Sequence, residues 1–121
     1  MSDNMDEPAR DDFELLDFIV VGTQHAVSDG RALQGLENGR ELELTWEHKN
    51  PHDSYAVRVD AAGYENGRET WRQKLGYVPM THSRVIARLI REGFALTCEV
   101  DVVHGLEIAA SIRCPKLKPG V

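Results

Sequence analysis

The strongest constraint on this chain is a two-residue alternation that recurs in short runs. Over residues 41–47, Leu42, Leu44 and Trp46 fall on one side, and Glu41, Glu43, Thr45 and Glu47 on the other. Successive side chains of a strand point to opposite faces, so this run predicts a half-buried strand. Tyr55, Val57 and Val59 alternate in the same way with Ala56, Arg58 and Asp60. Over residues 95–103, Leu96, Cys98, Val100 and Val102 share a face, and residues 106–112 complete a hairpin across His104-Gly105. Residues 17–21 add a β-branched run that stops at Gly22, and residues 71–78 another that stops at Pro79.

One segment follows the helical period instead. Over residues 82–92, Val85, Ile86, Leu89 and Ile90 form an apolar stripe, with Arg84, Arg88 and Arg91 opposite. Thr81 or Ser83 is positioned to cap its start, and Gly93 to end it. Residues 23–39 read as a long loop with one short helical turn near residues 33–36, and residues 61–69 as a polar loop with a hairpin turn at Asn66-Gly67. The expectation is a mainly β domain of about six strands with one principal helix, folded as a small, partly open barrel. Nothing alternates strand with helix often enough for a doubly wound sheet.

Charge divides the 121 residues unevenly. Residues 1–14 hold six acidic side chains against Arg10 alone and read as a flexible acidic tail. The domain is expected over residues 15–112, with a loose tail over residues 113–121. The net charge of −6 argues against an indiscriminate polyanion binder. Arg68, Arg72, Lys74, Arg84, Arg88 and Arg91 nevertheless face only Glu69 in their part of the chain, so a local basic surface is open to it. No apolar run approaches membrane-spanning length, and the N-terminus lacks the pattern of a signal peptide. Cys98 and Cys114, the only two cysteines, read as reduced thiols of a cytoplasmic protein.

The order of motifs resembles a known family. Phe18-Ile19-Val20-Val21-Gly22 is followed by Gly39-x-x-Leu42-x-Leu44-x-x-Glu47, then by Asn50-Pro51-His52-Asp53-x-x-Ala56-Val57-x-Val59. Leu75-Gly76-Tyr77-Val78-Pro79 then leads into Ile86-Ala87-Arg88-Leu89-Ile90-x-x-Gly93. This series resembles the HIRAN domain over roughly residues 15–112. The resemblance implies a modified OB-like β-barrel that binds single-stranded DNA and recognises a free 3′-hydroxyl end. It implies that Asn50 and Asp53 belong to the DNA-end pocket, with Asp53 accepting a hydrogen bond from the hydroxyl. His52 falls where the family has a pocket tyrosine, and Tyr77 where it has a residue beside the terminal nucleotide. Gln24 and His25 fall near an Arg-Tyr pair that contacts DNA, and Met80 where a lysine contacts phosphate. At these three positions the chain departs from the pattern.

Each of these residues also has a plainer reading. Asn50 and Asp53 can tie down their own turn. Tyr77 can pack on the barrel with its hydroxyl wet, and Trp46 belongs with the core face of its strand. The arginine stripe can touch phosphates or simply be solvated, and Arg31, Arg58, Arg72 and Lys74 are further phosphate contacts. His48, His52 and Asp53 lie close together, but a proline-containing turn separates the histidines and no zinc motif is present. No catalytic residue, metal or cofactor is assigned. The leading reading is a binding module for single-stranded DNA or DNA 3′ ends. The alternatives are a protein-interaction or accessory domain that has lost strong DNA affinity, and a metal-dependent hydrolase.

Overall fold

A computed structural model describes residues 12–28 and 30–116. Most of the expected acidic tail, residues 1–11, lies outside the described residues. In chain order the elements are β1 (Asp12–Ile19), α1 (Thr23–Ala26), a 3-10 turn (Gly30–Leu33), β2 (Glu41–Trp46), β3 (Val57–Glu65), β4 (Arg68–Tyr77), α2 (Met80–Arg91), β5 (Thr97–His104) and β6 (Glu107–Pro115). The six strands form one antiparallel sheet in the order β1-β6-β5-β2-β3-β4. Register shifts in the β1–β6, β5–β6 and β3–β4 pairs add local twist, which curls the sheet around its core. Val57, Val59, Leu75, Val78, Ile86, Val100, Ile108 and Ile112 fill that core.

The expected barrel is only partly drawn. Its ladder is open, and its two ends meet at one bridge just beyond β1. Val21 N–H donates to the Tyr77 carbonyl and Tyr77 N–H to the Val21 carbonyl, both at 2.9 Å. Gly76 makes this approach feasible. Its φ is +145°, and a Cβ there would stand 2.3 Å from the Val21 carbonyl oxygen. The glycine ahead of Tyr77 therefore permits this single bridge.

Several local expectations need correction. The helix begins at Met80, with Pro79 at the N-cap position and no side-chain cap from Thr81 or Ser83. Pro79 has no N–H to satisfy and its fixed φ suits a helix start. At the other end, Gly93 N–H bonds the Ile90 carbonyl and Phe94 N–H the Leu89 carbonyl, as expected for a glycine exit. The core face of α2 is Ser83, Ile86 and Ala87, while Val85 is 58% exposed.

Residues 61–69, read as a loop, are mostly strand: β3 and β4 pair down to Glu65 and Arg68 around the Asn66-Gly67 turn. Both turn residues have positive φ, the requirement that Asn-Gly meets. Tyr55 stands before β3 rather than within it. The long connection 23–39 contains α1 and the 3-10 turn, and its Val27, Leu33 and Leu36 enter the core. β1 already runs at Asp12 and β6 continues to Pro115, where Arg113 Nε reaches Asp12 Oδ1 at 2.9 Å.

Candidate functional site

The turn after β2 is held by its own side chains. Asn50 Oδ1 accepts the N–H of His52 at 2.9 Å and of Asp53 at 3.2 Å. Asp53 Oδ1 accepts the Tyr55 N–H at 2.9 Å, and Trp46 Nε1 donates to the Ser54 carbonyl at 2.8 Å. Pro51 restricts the chain between these bonds. The plainer reading of Asn50 and Asp53 is thus realised in full. It leaves Asp53 Oδ2 without a hydrogen bond among the described residues.

This turn faces the point where the sheet ends meet. Asn50, His52 and Asp53 line a cavity of about 420 Å³ together with Val21, Ala56, Lys74, Tyr77, Val78 and Met80. The turn supplies one wall, the Val21–Tyr77 bridge another, and the start of α2 the third. The walls are largely apolar and carry a few convergent polar groups, the usual make-up of a ligand site. Lys74 Nζ lies 4.5 Å from the Tyr77 ring centroid, which places a cation at the cavity wall.

Four of the expected site residues, Asn50, His52, Asp53 and Tyr77, are therefore brought together. The others are not in that cavity. Gln24 lines a neighbouring groove with Ile19, Thr23 and Leu106, and Val21 is common to both. His25 is exposed on α1 and lines neither. Arg84 sits one turn beyond Met80, on the same side of α2, with its guanidinium 4.8 Å from the Tyr55 ring centroid. Arg88 borders a separate shallow groove with Val85, Leu89 and Glu92. His48 lies edge-on to Trp46, 5.4 Å between ring centroids.

Sequence reasoning gave Glu47 no role. Its Oε1 accepts from the Tyr77 hydroxyl at 2.7 Å and from Asn50 Nδ2 at 3.1 Å, and its Oε2 pairs with Arg58 Nη1 at 3.0 Å. Burial pushes its pKa up. The hydrogen bonds from Tyr77 and Asn50 and the charges of Arg58 and Lys74 outweigh this and leave it below the ordinary value. Alternation had placed Glu47 on the outer face. It stands just past the end of β2 and half-buried, and only the fold shows that the Tyr77 hydroxyl of β4 reaches it. Arg58 and Arg72, expected as phosphate contacts, are instead paired internally with Glu47, Asp60, Glu43 and Glu69.

Fold and cavity together define a small β-rich binding module. The family model described as HIRAN domain matches residues 13–113, and the chain belongs to that family. HIRAN domains are known as nucleic-acid-binding modules rather than catalytic domains. A protein from Lactobacillus plantarum has a similar crystal structure, with a TM-score of 0.68 at 22% identity. The match covers 85% of this chain and 94% of that one. The HIRAN domain of human HLTF superposes with a TM-score of 0.57 at 13% identity, covering 84% of this chain and 76% of that one. At these identities the likeness is one of fold. No curated protein matches. Among the described residues, no helix is long and apolar enough to cross a membrane.

Proposed function

We propose that this chain binds single-stranded DNA and that the cavity between Val21, Asp53 and Tyr77 receives a terminal nucleotide with a free 3′-hydroxyl. One observation carries the reading: Asn50, His52, Asp53 and Tyr77, spread over 28 positions of sequence, converge on a single cavity with Lys74 at its wall. The Tyr77 ring offers a face for stacking. The free oxygen of Asp53 suits a hydroxyl donor and repels a phosphate. Lys74 supplies the cation that Met80 does not, and Arg84 extends it along α2. Gln24 and His25 contact the strand only if it continues across Val21. The two cysteines are free and buried, which fits a reducing compartment such as the cytoplasm.

A protein partner is the second reading. Met80 favours it, since it is 74% exposed at the cavity mouth where a phosphate contact would serve DNA better. The hydrolase alternative finds no group of three or more metal-ligating side chains among the described residues.

The test is fluorescence anisotropy with labelled 10-mer single strands, one ending in a 3′-hydroxyl and its twin in a 3′-phosphate. Wild type is expected to prefer the hydroxyl, and Asp53→Ala to lose about tenfold of that preference, one charge-assisted hydrogen bond. Equal binding of both ends would leave a general single-strand binder. Binding of neither would move the function to a protein partner.

A further inference from the structure

We propose that Glu47 is a specificity-determining positioning residue: by accepting the hydrogen bond of the Tyr77 hydroxyl, it leaves that oxygen only lone pairs to offer and so favours a hydroxyl over a phosphate. The inference rests on the nucleotide-end reading above and deepens it.

Donors and acceptors at the cavity are unevenly distributed. A tyrosine hydroxyl has one hydrogen. Tyr77 gives it to Glu47 Oε1 at 2.7 Å, so toward a ligand it can only accept. Asp53, as a carboxylate, can only accept, and one of its oxygens is free of the turn. Asn50 Oδ1 is occupied by two backbone N–H groups and one hydrogen of Nδ2 goes to the same Glu47 oxygen, which leaves Asn50 a single remaining donor hydrogen. Tyr77 and Asp53 therefore both present lone pairs. A group carrying a hydrogen satisfies them, and a terminal phosphate meets repulsion. Lys74 stands over the Tyr77 ring, where a bridging phosphate one step back along the strand could use it.

Glu47 holds this arrangement from outside the cavity, since it is not among the lining residues. It is fixed in turn by Arg58, whose Nε also lies 3.1 Å from Asp60 Oδ1. Without Glu47, the Tyr77 hydroxyl can rotate and donate into the cavity. The phosphate would then gain a donor and the hydroxyl would lose an acceptor.

The experiment compares wild type, Glu47→Ala and Glu47→Gln as full chains. Three quantities are read: the affinity ratio for the 3′-hydroxyl and 3′-phosphate 10-mers, the melting temperature, and the NMR signals of the Asn50 side-chain amide and the His52 and Asp53 backbone amides. Glu47→Ala should cut the hydroxyl preference about tenfold, partly by tightening the phosphate-ended strand. Glu47→Gln, which keeps one acceptor, should retain more of it. A Glu47→Ala protein that keeps the wild-type ratio overturns the proposal, even if both affinities fall together. If wild type binds neither oligonucleotide, the nucleotide-end reading fails and selection of the hydroxyl fails with it. The NMR signals then separate that failure from the positioning role. Changes confined to the Asn50–Asp53 turn would show that Glu47 still sets its geometry, and unchanged signals would overturn that as well.

Discussion

Two polar clusters lie along the β3–β4 hairpin, and they differ in what each leaves unpaired. In the outer cluster, Arg72 reaches Glu43 at 2.7 Å, Asp60 at 2.7 Å and Glu69 at 2.6 Å, and the Tyr64 hydroxyl closes on Glu43. Asp60 is only 1% exposed, yet two arginines compensate its charge. In the cavity cluster, Glu47 is equally well held, but Asp53 has an oxygen to spare and Lys74 has a ring beside it instead of a carboxylate. The outer cluster's unbonded oxygen, Asp60 Oδ1, is buried, with only the charge of Arg58 Nε 3.1 Å away, and does not line the cavity. The unbonded oxygen of the second cluster belongs to a residue that lines the cavity and so has something to offer a ligand. Arg72, counted from sequence among the candidate phosphate contacts, belongs to the outer cluster.

The sharpest way to break this division is at Gly76, which serves both regions. In Gly76→Ala the new Cβ meets the Val21 carbonyl and the residue must hold a positive φ. The combined strain and loss of bridge hydrogen bonds should cost about 3 kcal/mol. Chemical denaturation measures that loss, and DNA binding should fall with it because Val21 and Tyr77 part. Unchanged stability would mean that the bridge contributes nothing to closure.

Next in size is Asp60→Ala. Removing Asp60 takes one carboxylate from each of two arginines, leaving Arg58 with Glu47 and Arg72 with Glu43 and Glu69, and a broken buried pair costs about 3 kcal/mol or more when water cannot reach it. Arg58 and Arg72 are about 30% exposed and can recover some hydration, so about 2 kcal/mol is expected. Affinity for DNA, measured well below the melting temperature, should stay within twofold. A large affinity loss at native conditions would show that the two clusters are coupled through Arg58. Lys74→Ala should do the reverse. Stability should change by less than about 0.5 kcal/mol, as at most surface positions. The slope of log affinity against log salt should fall by about one phosphate contact.

Acid should act on the cavity cluster through Glu47. Its folded pKa lies below the ordinary 4.5, so its contribution to stability is present above that value and is lost as pH falls through the lower, folded one. Hydroxyl selectivity should therefore persist down through pH 4.5 and decay only as pH falls through the lower folded value, and Glu47→Gln should lack this acid limb. An anisotropy titration with the two oligonucleotides measures it.

The extent to which the sequence disclosed these regions follows from the range of the interactions. The alternation in β2 and the Asn66-Gly67 turn depend on neighbours a few residues away, and both are where the pattern put them. β5 follows its expected alternation only through Cys98 and Val100, because a register shift before Val102 leaves that residue 58% exposed and packs Val103 on the core instead. The second half of β3 was hidden because Ala61, Ala62 and Gly63 carry no β-branched signal. Gly63 is suited to its strand only because Trp71 lies across it from β4, with the indole Nε1 2.0 Å from where a Cβ would be. The helix register slipped because Val85 is as apolar as the residues that face the core, and only packing against the sheet selects Ala87 instead. At the site, the motif comparison located Asn50, His52, Asp53 and Tyr77. It included Glu47 as a motif position but gave it no role, and it could not rank Lys74, because their partners come from a strand about 30 positions away or from a ring stacked above the ammonium.

The smallest expected effects bear on the path of the strand outside the cavity. Met80, Arg84 and Arg88 recur every four residues on one side of α2, at steps of about 6 Å along its axis. A strand anchored beside Tyr77 and leaving along α2 meets Arg84 first and Arg88 second. Arg84→Ala should weaken both a dinucleotide and a 10-mer about threefold, of the order of one exposed charge contact. Arg88→Ala should weaken only the 10-mer, since it stands about 12 Å from Met80, beyond a Debye length of about 10 Å at moderate salt. If neither arginine matters while Gln24→Ala weakens the 10-mer, the strand leaves the other way, across Val21 into the groove beside Thr23. The unsaturated region would then extend toward β1, and the arginine stripe of α2 would be a solvated face.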